Sequence, residues 1–286
     1  MKPILSLAIS LIFACSWPLL ANTTFTYRGS NSDSDVRFQY EFRLMQLALD
    51  KTIVEYGNYS LVPSPAMNFS RAIKMSQTQQ LSNFFILASY QKKHSNNLNY
   101  IPIPAQRGVL GYKLFFTSTQ GQAKLLNVSN VAELQQLSIL QGQSWHDISI
   151  LRTNKFNVVT TTNYDGMFEF INQNRADIFP RGVTEFLSEF RLKKKTLPNL
   201  ILDKKFALHY PFPRFYYTSK KNTAALNRLH KGLLIAWEDG SFIKLWRKFY
   251  QESIDSANLS SRVIYNLSNP ELNDFSVDIQ KYMYSF

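Results

Sequence analysis

Cysteine is almost missing from this sequence: Cys15 is the single one in 286 residues. A lone cysteine leaves nothing to bridge, so a disulfide framework and cysteine-rich metal sites are excluded, and stability has to come from packing. Histidine is scarce too, with four residues (His94, His146, His209 and His230) scattered along the chain. Neither His-Glu-x-x-His, nor Gly-x-Ser-x-Gly, nor a phosphate-cradling Gly-Lys-Ser/Thr loop occurs. These gaps argue against the common hydrolase, metalloprotease and nucleotide-binding chemistries. The expectation is a protein that is not an enzyme and uses no cofactor or metal. Acidic residues are outnumbered, 20 against 32 basic, and no apolar run after the first residues is long enough to span a membrane.

What is abundant is apolar and aromatic: 45% hydrophobic residues, with 22 Phe and 15 Tyr. That composition belongs to a globular chain, and 286 residues suffice for two lobes with separate cores. The first residues pair Lys2 with an apolar run from Ile4 to Ala14 and a Pro18-containing approach to Ala21. These are the parts of a secretory signal, here residues 1–21, cleaved after Ala21 to release a protein into the periplasm. The competing readings are an uncleaved anchor, disfavoured by Ser6, Ser10, Ser16 and Pro18, and lipid modification at Cys15, disfavoured by the bulk of Phe13. Loss of Lys2 changes the formal charge from +12 to +11 (12 − 1).

Such a charge invites a nucleic-acid partner. Yet Lys92-Lys93, the run 193–195, Lys204-Lys205 and Lys220-Lys221 are dispersed, as solvated faces are, and export removes nucleic acid as a partner. Steering of a small anion, or contact with an anionic membrane surface, is the better use of the field.

The chain then alternates strand and helix patterns. Thr24 to Arg28 alternates as a strand and is followed by the turn-rich 29–33. Phe38, Phe42, Met45, Leu49 and Ile53 recur at helical spacing up to Gly57, and 59–62 reads as a second strand. Asn68 precedes a helix through Ala72 and Met75, and 83–88 is a continuous apolar strand of the parallel-sheet type. A second α/β series begins near Ser129: a helix to Leu137, strand 138–141, the turn at 142–144, a helix capped by Asp147, strand 157–161, a helix capped by Thr162-Asn163, and strand 176–179. Helices carrying Leu226, Leu229 and Leu233, then Leu245, Trp246 and Phe249, close the pattern. The stretch from Asn266 onward has little periodicity. The expected fold class is α/β, with residues 22–118 and 217–265 in a discontinuous first lobe, 119–216 in the second, and 266–286 as a tail.

Three stretches carry a resemblance: Leu134 to Trp145, with its helix, strand and Gly-x-Ser turn; Tyr164 to Pro180, with Asn174-Arg175-Ala176-Asp177; and Glu238 to Phe249, a Gly-Ser-Phe helix start. Together the chain resembles the type 2 periplasmic binding proteins, in the family 3 branch of polar amino-acid receptors of ABC transporters. The resemblance implies two three-layer α/β lobes joined by a two-strand hinge, a small polar solute bound in the interlobe cleft, an ABC permease or membrane sensor as partner, and a monomer. The chain departs from the branch at two points. The Thr and Arg that grip a carboxylate after the third strand correspond to the run 88–92, which has no Arg. The acidic residue expected after the lobe-two strand is replaced by Pro180-Arg181.

Candidate ligand residues follow from strand ends, where ligands of open α/β sheets bind. Tyr27 and Arg28 end the first strand, Ser89 and Tyr90 the third, and Arg181 a lobe-two strand. Ser144, Trp145, His146 and Asp147 lie where free backbone N–H groups and a helix dipole favour an anion. Asn163 caps a helix at the cleft side, Arg107 lies near a crossing between lobes, and Tyr210 offers a stacking face. Each has a competing structural role as a cap, a core aromatic or a surface ion pair. The Arg181 substitution and the 142–147 loop together predict a ligand carrying negative charge. The competing function is an envelope interaction module built on a binding-protein fold that has lost its small ligand.

Overall fold

The structure, a computed structural model, describes residues 22–29 and 38–286. The expected leader at 1–21 and the turn over 30–33 lie outside those residues. The chain begins with β1 (Thr23–Tyr27), α1 (Phe38–Asp50), the single turn α2 (Ile53–Tyr56), β2 (Tyr59–Pro63), α3 (Phe69–Thr78), β3 (Phe84–Ser89) and β4 (Leu98–Tyr100). A middle series follows: β5 (Tyr112–Thr117), α4 (Thr119–Leu126), α5 (Val131–Gln135), β6 (Ser138–Gly142), α6 (Asp147–Thr153), β7 (Asn157–Thr161), α7 (Tyr164–Asn172), β8 (Ile178–Gly182), α8 (Phe186–Lys193), β9 (Ile201–Leu202) and β10 (Phe206–His209). It ends with β11 (Arg214–Ser219), α9 (Thr223–Glu238), α10 (Ser241–Ala257) and β12 (Val263–Asn266).

Local chemistry fixes several boundaries. The Asn68 side chain accepts from the Arg71 N–H at 2.9 Å and starts α3, and Asn163 accepts from the Gly166 N–H at 3.1 Å and starts α7. Every residue of β3 is buried, as a strand covered on both faces requires. On α1, Leu44, Met45, Ala48 and Leu49 are all fully buried against the first sheet and α9.

Two sheets result, in the order β2-β1-β3-β11-β4 and β12-β10-β5-β8-β6-β7, with β9 beside β5. In the first, β2, β1 and β3 are parallel and β11 runs antiparallel to β3. In the second, β7, β6 and β8 are parallel, and β5 is antiparallel to both β8 and β10. Helices cover both faces of each sheet, giving two three-layer α/β lobes. The hinge is the pair of segments 101–111 and 210–213, stitched where Tyr210 N–H donates to the Gly111 carbonyl at 3.2 Å and Ala105 N–H to the Arg214 carbonyl at 3.0 Å.

Strand membership differs from the sequence expectation at three places. Tyr112–Thr117, expected in the first lobe, lies inside the second sheet as β5. The start of β11, expected in the second lobe, pairs Arg214 with Ser89 of the first sheet. Residues 263–265, expected in the first lobe, form β12 parallel to β10 of the second. Periodicity reveals which face of a strand is buried, but a strand that feeds a crossing fits either sheet equally well.

The tail is also more ordered than its sequence suggests. Leu267 N–H donates to the His209 carbonyl at 2.7 Å and Asn269 Nδ2 to the Pro211 carbonyl at 2.9 Å, on the second-lobe side. Phe275 then packs on Tyr90 and Phe215 of the first lobe, and Phe286 ends against Tyr112 at the start of β5. The tail is a strap along both lobes.

One close approach sets the first-lobe core. A Cβ on Gly232 of α9 would stand 1.9 Å from the Ala48 carbonyl oxygen of α1. Both partners are helix backbone and cannot swing aside. Gly232→Ala is therefore expected to separate α1 from α9 and cost about 1–3 kcal/mol, read as a lower urea midpoint with an unchanged slope.

Candidate functional site

The carboxyl ends of β1, β3, β6, β7 and β8 and the first residues of β5 and β11 converge between the lobes. They enclose a cavity of about 250 Å³. Its charged lining is Arg28, Lys113, Arg181 and Arg214 against Glu41, Asp147 and Glu185, and Glu189 stands directly behind Arg181. Phe69, Trp145, Tyr164 and Phe212 supply the apolar walls.

Each cation of the cleft meets an oxygen partner. Arg181, 4% exposed, makes a bidentate pair with Glu189, both bonds at 2.7 Å, and reaches Glu185 at 2.9 Å. Trp145 stacks over its guanidinium at 4.7 Å, and Tyr164 OH donates to Glu189 at 2.5 Å. Burial opposes the Arg181 charge, but the two carboxylates more than offset it and raise its pKa well above the usual value. Lys113 Nζ lies 2.7 Å from Asp147, whose carboxylate also accepts from Tyr210 OH at 2.5 Å. Burial alone would raise the Asp147 pKa; Lys113 and Tyr210 bring it down to about 2. Arg214 pairs with Glu41 at 3.2 Å and donates to the Leu87 carbonyl at 2.7 Å. Arg28 donates to the Met67 carbonyl at 3.2 Å and sits over the Phe69 ring.

Across the cleft, Ser89 Oγ of β3 hydrogen-bonds His146 Nδ1 of the second lobe at 2.9 Å. Gly142 makes the His146 loop compact: a Cβ there would stand 2.5 Å from the Trp145 ring.

Of the residues expected from the sequence, Arg28, Ser89, Ser144, Trp145, His146, Asp147 and Arg181 line this cleft. The others serve elsewhere. Tyr27 packs on Phe42, Tyr90 is buried against Tyr100 and Phe275, and Asn163 acts as a helix cap. Tyr210 is fully buried behind Asp147. Arg107 faces away: it donates to the Tyr282 and Met283 carbonyls at 3.2 Å and stacks on Trp246 at 4.8 Å, so it grips the tail.

Two physical premises of the anionic-ligand expectation also change. The carboxylate missing after β8 is supplied by Glu185 and Glu189, four and eight residues past Arg181, and the Arg missing after β3 is supplied by Arg214 from the neighbouring β11. Furthermore, α6 is a seven-residue helix whose first turn already holds the paired Asp147 carboxylate. His146, not Asp147, stands at its cap. Four lining cations thus face three lining carboxylates and a fourth behind them, which makes the cleft charge-balanced. The sequence reading missed Glu41, Lys113, Glu185, Glu189, Arg214 and Phe212. The closeness in sequence of Arg181 to Glu185 and Glu189 was a local signal, although Arg181 lies on β8 and only Glu189 on α8; for Arg214 there was none.

Removing the Arg181 guanidinium takes the paired cation from the buried Glu189 and the partly buried Glu185. Arg181→Ala is expected to destabilise the fold by about 3–5 kcal/mol, and Glu189→Gln in that background to recover part of it, measured by urea unfolding. Full stability of Arg181→Ala would refute this network.

Burial lowers the His94 pKa to about 4, aided by Lys93 and His146 and opposed by Glu271. The folded protein thus takes up this proton less readily than the unfolded chain, whose imidazole titrates near 6.5. The stabilisation is complete above pH 6.5 and lost as pH falls from 6.5 to about 4. Unfolding free energies across that range should show a shallower fall for His94→Asn than for the parent.

No sequence-family profile and no curated protein sequence matches the chain. Solved structures do. The chain superposes on an ancestral arginine-binding protein bound to arginine with a TM-score of 0.60 at 12% identity, over 81% of this chain and 99% of that one. A Salmonella typhimurium periplasmic binding protein of high arginine specificity gives 0.58 at 11%, over 80% and 99%. A histidine kinase sensor domain similar to periplasmic binding proteins gives 0.55 at 13%, over 80% and 96%. At such identities the likeness is one of fold, that of the type 2 periplasmic binding proteins.

Proposed function

We propose that this protein is a periplasmic receptor whose lobes close on a small zwitterionic solute, to hand it to an ABC-type permease or present it to a membrane sensor. The observation that carries the reading is the cleft's charge balance at the carboxyl ends of the strands. A zwitterion can exchange its own two charges against Arg28 or Arg214 on one side and Glu41 or Glu185 on the other. A purely anionic solute would find each nearby cation already engaged by a carboxylate or carbonyl. The arginine-binding protein of the same fold supports the solute class, and the histidine kinase sensor domain supports presentation to a sensor.

A binding role is favoured over a catalytic one by the Ser89–His146 pair. Ser89 bonds Nδ1, and His146 Nε2 has no partner among the described residues, so the third group that orients the imidazole of a catalytic triad is missing. A second reading, an envelope interaction module, draws support from the strap, whose contacts on both lobes resist their separation.

A thermal-shift screen of amino acids, carboxylates, phosphates and sugars discriminates between them. Amino acids are expected to raise the melting temperature, and Arg28→Gln to weaken their binding about tenfold, the loss of one charge-assisted contact. A screen in which no small solute shifts the melting temperature would leave the interaction module as the better account.

A further inference from the structure

A groove of about 890 Å³ opens beside the central cavity, between α3, the segment after β3, and α6. Phe69, Ser144, Trp145 and His146 line both spaces, so the two are neighbours that share a wall. The central cavity lies below the roughly 300–1,000 Å³ typical of ligand pockets, and the groove near its upper end. A single amino acid would fill only the former.

The groove's chemistry differs from that of the cleft. Its cations are Lys93 and Arg152, both exposed, and among the described residues no carboxylate lines it. Neither side chain forms an ion pair among the described residues. Glu271 of the tail, whose charge bears on His94 and His146, accepts instead from the Lys92 N–H and is not part of the lining. The groove is also lined by the amide side chains of Gln77, Gln91 and Gln143 and the apolar Ile73 and Ile148.

His94 adds an independent sign of a missing partner. It lines the groove and is only 6% exposed, yet its Nε2 has no hydrogen-bond partner among the described residues, and neither does the buried Nε2 of His146. Buried imidazole nitrogens left unmatched are costly and uncommon. The amide N–H and carbonyl groups of a peptide backbone are their natural complement.

We infer that the groove is the second half of the binding site and takes the acidic end of a short peptide-like solute whose other end lies in the central cleft. The inference rests on the cleft being the solute site proposed above and extends it from a single amino acid to an elongated ligand. The glutamine amides of the lining match the peptide units, His94 and His146 gain partners, and Lys93 and Arg152 gain an anion that no described residue supplies.

Isothermal titration with matched probes tests this. On the parent protein, glycyl-glycyl-glutamate is expected to bind at least about tenfold tighter than glycyl-glycyl-glutamine, the worth of one charge-assisted contact. The double substitution Lys93→Gln/Arg152→Gln should erase that preference, with circular dichroism and melting temperature verifying the fold. Arg152→Glu should shift the preference toward glycyl-glycyl-lysine. If single amino acids bind but the two peptides bind equally or not at all, the groove inference fails and the cleft reading stands. If nothing binds, both fail. If glutarate binds as tightly as glycyl-glycyl-glutamate, the groove is a free-standing anion site and the bridging peptide is wrong.

Discussion

Each side of the cleft neutralises its own buried charge, and the rest of the site depends on this. Arg214 and Glu41 belong to the first lobe, whereas Lys113 with Asp147, and Arg181 with Glu185 and Glu189, belong to the second. A buried ion pair recovers its desolvation cost only while both members stay together. Because these pairs do not straddle the cleft, the lobes can part without stranding a charge, and the Ser89–His146 bond across the cleft joins neutral groups. Such an arrangement suits a hinge whose open and closed states must lie close in energy. It also leaves positive and negative groups pre-oriented around the central cavity.

The hinge side is built differently. The segments 101–111 and 210–213 would alone leave the lobes joined by a narrow ribbon, but the chain crosses again between α10 and β12, and the tail follows. Arg107 is central to that second tie. Its backbone adopts φ +54°, its side chain leaves the cleft, and its guanidinium is held by the Tyr282 and Met283 carbonyls among the rings of Trp237, Trp246 and Tyr284. The strap therefore ties the two lobes together without lining the central cavity.

The α/β alternation was legible because it is written locally: an apolar run such as 84–88 cannot be other than buried, and Asn68 and Asn163 start helices through bonds three residues away. Trp145 and Arg181 were legible for a similar reason, as residues just past or at the end of strands, whereas Phe69, Tyr164 and Phe212 were not singled out. What local pattern does not carry is which strand lies beside which. Arg214 enters the site only because β11 returns next to β3, pairing it with Ser89 125 residues earlier (214 − 89), and Lys113 only because β5 leaves the first lobe for the second. Arg181 lines the cleft as the sequence suggests, but the carboxylates that engage it lie beyond the strand motif, Glu185 at the cap of α8 and Glu189 within it.

The location of the protein's positive charge follows from the same geometry. With the cleft balanced, the excess behind the formal +12 lies outside it, on surfaces such as Lys92-Lys93, the 193–195 run, Lys204-Lys205 and Lys220-Lys221. Dispersed exposed charge is screened within about a Debye length of roughly 8–10 Å, so it contributes little to holding a solute once bound. Its effect falls on encounter, where it draws acidic groups toward the molecule before any pocket is reached. Only where exposed cations flank an opening without local carboxylates, as Lys93 and Arg152 do, can that long-range attraction pass directly into a binding contact.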